Sequence, residues 1–369
     1  MSLHPAETIN EPPRFPVVDG HVDLVYDLMR RHSGIPFEQV ANGQVTASSL
    51  ARGGVRVLVA ALYCADSHNG PASAAREMRR LYDYARRHLG WFSPLRRPGE
   101  MAATLGGSGP PGIIFLVENA DALLELGLDE ARRWGVRAVG LTHAGRNRLA
   151  DGNGVTDPKG LTAAGKSLLR NIAGSGLILD VAHLAEPGFR DVASLFTGPL
   201  ISSHTGLRSF CDRPRNLSDP QVAEIARRGG MVGIAAAPEM LVPEGTATLD
   251  DLFRQVDFVV QRHGPEAVGI GSDFGGFDGT AKGAEDHGGL PLLAERLLGA
   301  GYPAGAVGLI MGGNWFRIYG GASGKSGGAE AGILSVIEER EEFLQELHNR
   351  DLTRATPEGT LGGDPADNQ

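Results

Sequence analysis

Eight short runs rich in Val, Ile, Leu and Ala recur along the chain, at residues 17–24, 55–63, 113–118, 136–143, 177–183, 199–204, 231–236 and 267–273. Most are continuously apolar rather than alternating, the pattern of strands buried on both faces of a parallel sheet. Longer stretches of helical period separate them, among them ASAAREMRRLYDYARRHL, LTAAGKSLLRNIAGSG and DLFRQVDFVVQRHG. Gly135, Gly176 and Gly230 stand just ahead of runs, where a preceding helix needs a residue that ends it. Strand followed by helix, eight times over, predicts an α/β fold, a (β/α)8 TIM-type barrel spanning 16–319 as one domain. A doubly wound open sheet is the alternative.

The flanks read differently. Residues 1–15 are a polar, Pro-rich N-terminal extension with no apolar core of a signal peptide. Residues 320–332 read as a Gly-rich linker and 333–350 as an added, charged amphipathic helix. That helix suits a homodimer interface and solvent equally well. Residues 351–369 read as a disordered tail.

Composition narrows the partners. A net charge of −9 leaves no basic excess to neutralise phosphates, so nucleic acid is not expected. The pairs Arg79-Arg80 and Arg86-Arg87 fall on a helical stretch and read as its solvated face. No run of eighteen apolar residues occurs, so no membrane association is expected and a cytoplasmic location is the default. Cys64 and Cys211 belong to no CxxC pair and read as reduced, packed thiols.

The polar exceptions to this pattern gather at run ends. His21 and Asp23 close the first run, Glu118 the third, His143 the fourth, His183 the fifth, His204 the sixth and Asp273 the eighth. In a barrel all of these ends open on the one face where active sites sit. Taken singly, each has an ordinary explanation: a hydrogen-bonded histidine, or a carboxylate capping the next helix. Taken together, so many imidazoles and carboxylates at one rim are costly unless a cation compensates them. Residues i and i+2 of a strand point the same way, so His21 and Asp23 reach one ion if the strand stays extended to Asp23. Histidine and carboxylate donors without cysteine suit Zn2+, with Mn2+ or Co2+ as substitutes. The donors outnumber what one catalytic ion needs, which points to two ions about 3.5–4 Å apart. Glu118 has two oxygens and lies between the other donors along the chain, so it is the natural bridge.

The ordered motifs DGHVDL, VENAD, LTHAGRNRLADG, DVAHL, SSHTGLRSFCDRPRNLSD, GIGSDFGG and GGNWFRI resemble those of the membrane dipeptidase (renal dipeptidase, peptidase M19) family of metal-dependent hydrolase barrels. The resemblance covers roughly 16–319 and rests on order and spacing more than on any single motif. It implies that His21 and Asp23 bind one zinc, that Glu118 bridges, and that His183 and His204 bind the second. It implies further that His143 contacts the substrate or its oxyanion, that Arg215 holds the substrate carboxylate and that Asp273 handles protons. Elementary chemistry agrees with these roles. A guanidinium fork matches a dipeptide's terminal carboxylate, with Arg213 as the competing candidate. Asp273 could instead orient a ligand.

Departures are visible as well. Val22 stands where many relatives carry Asn, and FGGFDG replaces the commoner FDG after Asp273. No export or lipid-anchor signal of the animal members is seen, so the chain resembles a soluble prokaryotic member. The expected function is zinc-dependent hydrolysis of small dipeptides by a metal-bridging hydroxide, with a D-residue allowed at the C-terminal position. The alternative is a related dinuclear amidohydrolase acting on N-acyl amino acids, lactones or phosphoesters.

Overall fold

A computed structural model describes residues 14–320 apart from Ser108. Residues 1–13, the linker beyond Gly320, the helix expected at 333–350 and the tail 351–369 lie outside the described residues.

Nine strands form among the described residues: β1 Val17–Val22, β2 Val55–Tyr63, β3 Ser93–Pro94, β4 Gly112–Glu118, β5 Val136–Gly140, β6 Ile178–Asp180, β7 Leu200–Thr205, β8 Met231–Ile234 and β9 Val268–Ile270. Eight of them are parallel neighbours in the order β1-β2-β4-β5-β6-β7-β8-β9, and the two-residue β3 lies outside that path, paired with β4. The expected barrel is therefore present, and nearly closed. Its seam, between β1 and β9, is sealed just past the end of β9. There Asp273 N donates to His21 O at 3.0 Å and Asp23 N to Phe274 O at 2.9 Å. The buried Asp19 carboxylate completes the seam, accepting from Ser272 N at 2.8 Å and lying 2.9 Å from His287 Nε2.

Helices surround the barrel because each has one apolar stripe to bury. The helix Ser73–His88 buries Ala74, Met78, Leu81 and Ala85, spaced three or four apart. Its Arg79, Arg80, Arg86 and Arg87 face solvent, as their pattern predicts. Inside the barrel, Val18, Val57, Val59, Ile114, Leu116, Ile201 and Met231 pack around Trp315. The indole is fully buried, and its Nε1 donates to Ile270 O at 2.7 Å. Gly20 makes room for it: a Cβ there would lie 2.0 Å from the ring. Cys64 and Cys211 are buried free thiols.

Candidate active site

The seven run-end residues do converge, though not all from within strands. His21, Glu118 and His204 lie in β1, β4 and β7, whereas Asp23 follows β1 by one residue. His143, His183 and Asp273 each lie three residues past their strands. The apolar runs overestimate strand length because the chain turns before the donor. His183 and Asp273 have φ of 62° and 64°, as does the residue after Glu118, Asn119, at 70°. The left-handed region costs a residue with a Cβ about 1–2 kcal/mol, and since His183 and Asp273 both line the pocket they mark a constrained rim. Asp23 is likewise not extended, with φ −82° and ψ 42°. It reaches the pocket from the N-cap position of the helix Leu24–Arg31, yet its side chain makes no capping bond.

Glu118 sits at the centre of the cluster. Its Oε1 lies 2.9 Å from His183 Nε2 and 3.7 Å from His204 Nε2, and its Oε2 lies 3.7 Å from His21 Nε2. Asp273 Oδ1 is 3.9 Å from His21 Nε2 and 4.0 Å from His204 Nε2. Donor atoms of His21, Asp23 and Asp273 fall within 4.8 Å of one another, as do those of His21, Glu118 and His204, and those of Glu118, His143 and His183. The cavity above them has a volume of about 270 Å³, and Arg215, Tyr63, Tyr26 and Glu239 also line it. Arg215 donates to His204 O at 3.1 Å, while its buried Nε has no partner. Arg213, the competing candidate, is exposed and turns to Pro243 O.

The sequence model of the family described as Membrane dipeptidase (Peptidase family M19) matches residues 8–327. The chain belongs to the membrane dipeptidase family. It is 26% identical over 329 residues to the dipeptidase aclJ of Aspergillus oryzae, covering 83% of this chain and 78% of that one. A solved M19 metallopeptidase, dipeptidase AC, superposes with a TM-score of 0.75 at 26% identity, covering 83% of this chain and 98% of the other. A Rhodobacter sphaeroides metallopeptidase bound to a phosphinate mimic of the dipeptide L-Ala-D-Ala gives 0.73 at 25% identity, with 83% and 98% covered.

The donor set of this metallo-dipeptidase fits a cation on its own terms. His21 Nε2 and Asp23 Oδ1 are buried without a hydrogen-bond partner, an arrangement that costs free energy unless something occupies the space between them. Burial lowers the pKa of His21 to about 3 and those of His183 and His204 well below the ordinary value, so all three rings are neutral, as ligands must be. Burial raises Glu118 to about 7 and Asp273 to about 8, opposed in each case by nearby cationic side chains such as Arg215. Asp23 is raised as well, by burial and then by the charges of Glu118 and Asp273. Carboxyls held that high are short of positive charge, which divalent cations would supply.

Supporting residues were missed by the sequence reading. Ser203 Oγ lies 3.1 Å from His21 Nδ1 and 2.9 Å from His204 Nδ1. The buried Asp180 accepts from Ser203 N at 2.9 Å, which fixes the serine between the two rings. A serine oxygen has two lone pairs and can accept from both imidazole Nδ1–H groups at once. Each ring then turns a bare Nε2 toward Glu118. Asp66 Oδ2 lies 3.0 Å from His143 Nδ1 and accepts from Gly145 N at 2.8 Å, fixing His143 and its loop together. Asp19, Asp180 and Ser203 carried a usable signal, since each is polar within an apolar run. Asp66 carried none. No helix among the described residues is long and apolar enough to cross a membrane.

Proposed function

We propose that this metallo-dipeptidase is a dinuclear zinc enzyme that hydrolyses small dipeptides and accepts a D-residue at the C-terminal position. The observation that carries the proposal is the division of the Glu118 carboxylate, with Oε1 toward His183 and His204 and Oε2 toward His21. On this reading His21 and Asp23 hold one ion, His183 and His204 hold the other, and Glu118 joins them. Nitrogen and oxygen donors without cysteine favour zinc, with Mn2+ or Co2+ as substitutes. When bound, two such ions supply Lewis-acid polarisation and a water acidic enough to attack at neutral pH.

The chain's own residues supply the rest. Arg215 presents a guanidinium edge to the cavity and holds the substrate's terminal carboxylate, which sets the peptide bond over Glu118. His143, oriented by Asp66, steadies the oxygen of the carbonyl under attack. Hydrolysis requires that a proton leave the attacking water and that one reach the leaving amine. Asp273, within 4.0 Å of both His21 and His204, is placed to take the first and deliver the second. The mimic of L-Ala-D-Ala bound by the Rhodobacter relative supports tolerance of a D-residue. Lactones and phosphoesters without a free carboxylate would leave Arg215 unused, which disfavours them as substrates.

A hydrolysis panel of L,L and L,D dipeptides, N-acyl amino acids and lactones, with metal analysis of the same preparation, tests the proposal. The expected outcome is about two zinc per chain, turnover of free L,L and L,D dipeptides, and loss of turnover on chelation. Turnover of N-acyl amino acids or lactones with dipeptides untouched would overturn it.

A further inference from the structure

A second cavity opens at the opposite end of the barrel. It lies at the N-terminal ends of β5 and β6, has a volume of about 520 Å³, and is larger than the cavity above Glu118. Its walls include Val136 and Leu177, but its polar character comes from Arg96, Arg132, Arg133 and Arg137. Asp129 is the single carboxylate residue lining it.

The neutralisation of these guanidiniums is incomplete. Arg133 is tied to Glu130, one turn back on its own helix. Arg132 reaches Asp129 only at 3.8 Å, between two well-exposed side chains, a pairing worth little in water. Among the described residues neither Arg96 nor Arg137 has a carboxylate within ion-pair distance, and the half-buried Arg137 donates only to Tyr319 O, at 3.1 Å. Burial lowers the pKa of Arg137; the nearby Tyr319 and Glu100 oppose that shift in part, and the charge of Arg132 adds to it. Four like charges around one concavity repel each other, and they do so in a chain whose net charge is −9. Several guanidiniums lining a space of this size suit a ligand with several anionic oxygens.

We propose that this cavity binds a small, multiply charged oxyanion, phosphoryl or polycarboxylate, held by Arg96, Arg132 and Arg137. The two sources share the chemistry of paired anionic oxygens, and the test separates them. Calorimetry on the zinc-loaded full chain would titrate inorganic phosphate in one arm and benzene-1,3,5-tricarboxylate in the other. One saturable site is expected for at least one probe, and the better probe identifies the class. Arg137→Gln should weaken it at least tenfold. Because that change also removes the contact to Tyr319, the double variant Arg96→Gln/Arg132→Gln serves as a second test, and it should weaken binding comparably. Dipeptide hydrolysis should be unchanged in both variants. Absence of saturable binding for both probes overturns the proposal. So does binding that survives in both variants, which would place the anion at the Glu118 cavity.

Discussion

Two layers of the same barrel are built to opposite standards. In the interior layer, Trp315 is enclosed by Val18, Val57, Leu116 and Ile201, and its one polar atom is bonded to Ile270 O. One layer toward the C-terminal rim, those strands deliver His21, Glu118 and His204, and buried atoms of His21, Asp23 and Arg215 lack partners. The lower layer holds the barrel together. The upper one is left incomplete, with strained backbone at His183 and Asp273, because it is shaped for metal and substrate that the polypeptide itself does not provide.

If the contrast is real, the two layers fail differently when damaged. Glu118→Gln removes the carboxylate at the centre of the cluster and should lower dipeptide turnover by about 10⁴-fold, or about 5.5 kcal/mol in the barrier. The metal-free variant should melt no lower than metal-free wild type, because a buried group deprived of positive charge has gone. A large fall in the melting temperature of the metal-free variant would show that Glu118 belongs to the stability layer after all. Trp315→Ala should do the reverse, costing about 3–5 kcal/mol of stability by denaturant titration. The turnover of the remaining folded, metal-loaded molecules should change by less than about tenfold. Loss of turnover without loss of stability would break the comparison from the other side.

The smallest effect is a pH dependence confined to the upper layer. In the metal-free protein Glu118 and Asp273 titrate near 7 and 8 instead of their ordinary 4.5 and 3.8. The folded state therefore binds more protons than the unfolded state over that span, and stability falls as pH rises through it. His21, lowered from 6.5 to about 3, acts oppositely: stability rises with pH up to 6.5 and is then constant. Above 6.5 only the carboxyl contribution remains. Bound cations hold those carboxylates ionised and cancel the loss. The gap in melting temperature between zinc-loaded and chelated protein should accordingly widen from pH 6.5 to 8. A gap that narrows over that range would count against a cation at Glu118.

Much of this could be read along the chain. The eight apolar runs correspond to eight barrel strands, and the polar residues at their ends meet in one pocket. The reading erred where the chain leaves the strand. The runs reach His143, His183 and Asp273, but β5, β6 and β9 stop at Gly140, Asp180 and Ile270. Hydrophobicity marks what is buried, and the turns below the rim are buried too. Asp66 was invisible because a loop aspartate carries no periodic signal, and its value lies wholly in reaching His143, 77 positions away.

Element type and order, the choice of a barrel and the identity of the central polar residues were contained in the linear chain, because hydrophobic period and turn chemistry act over a few neighbours. The donors' hydrogen bonding, the split between the two Glu118 oxygens, the position of Arg215 in the cavity wall with Arg213 outside it, and the Asp19–His287 seam were decided only by tertiary structure. Asp19 and His287 stand 268 positions apart, and they meet only because the barrel closes on itself.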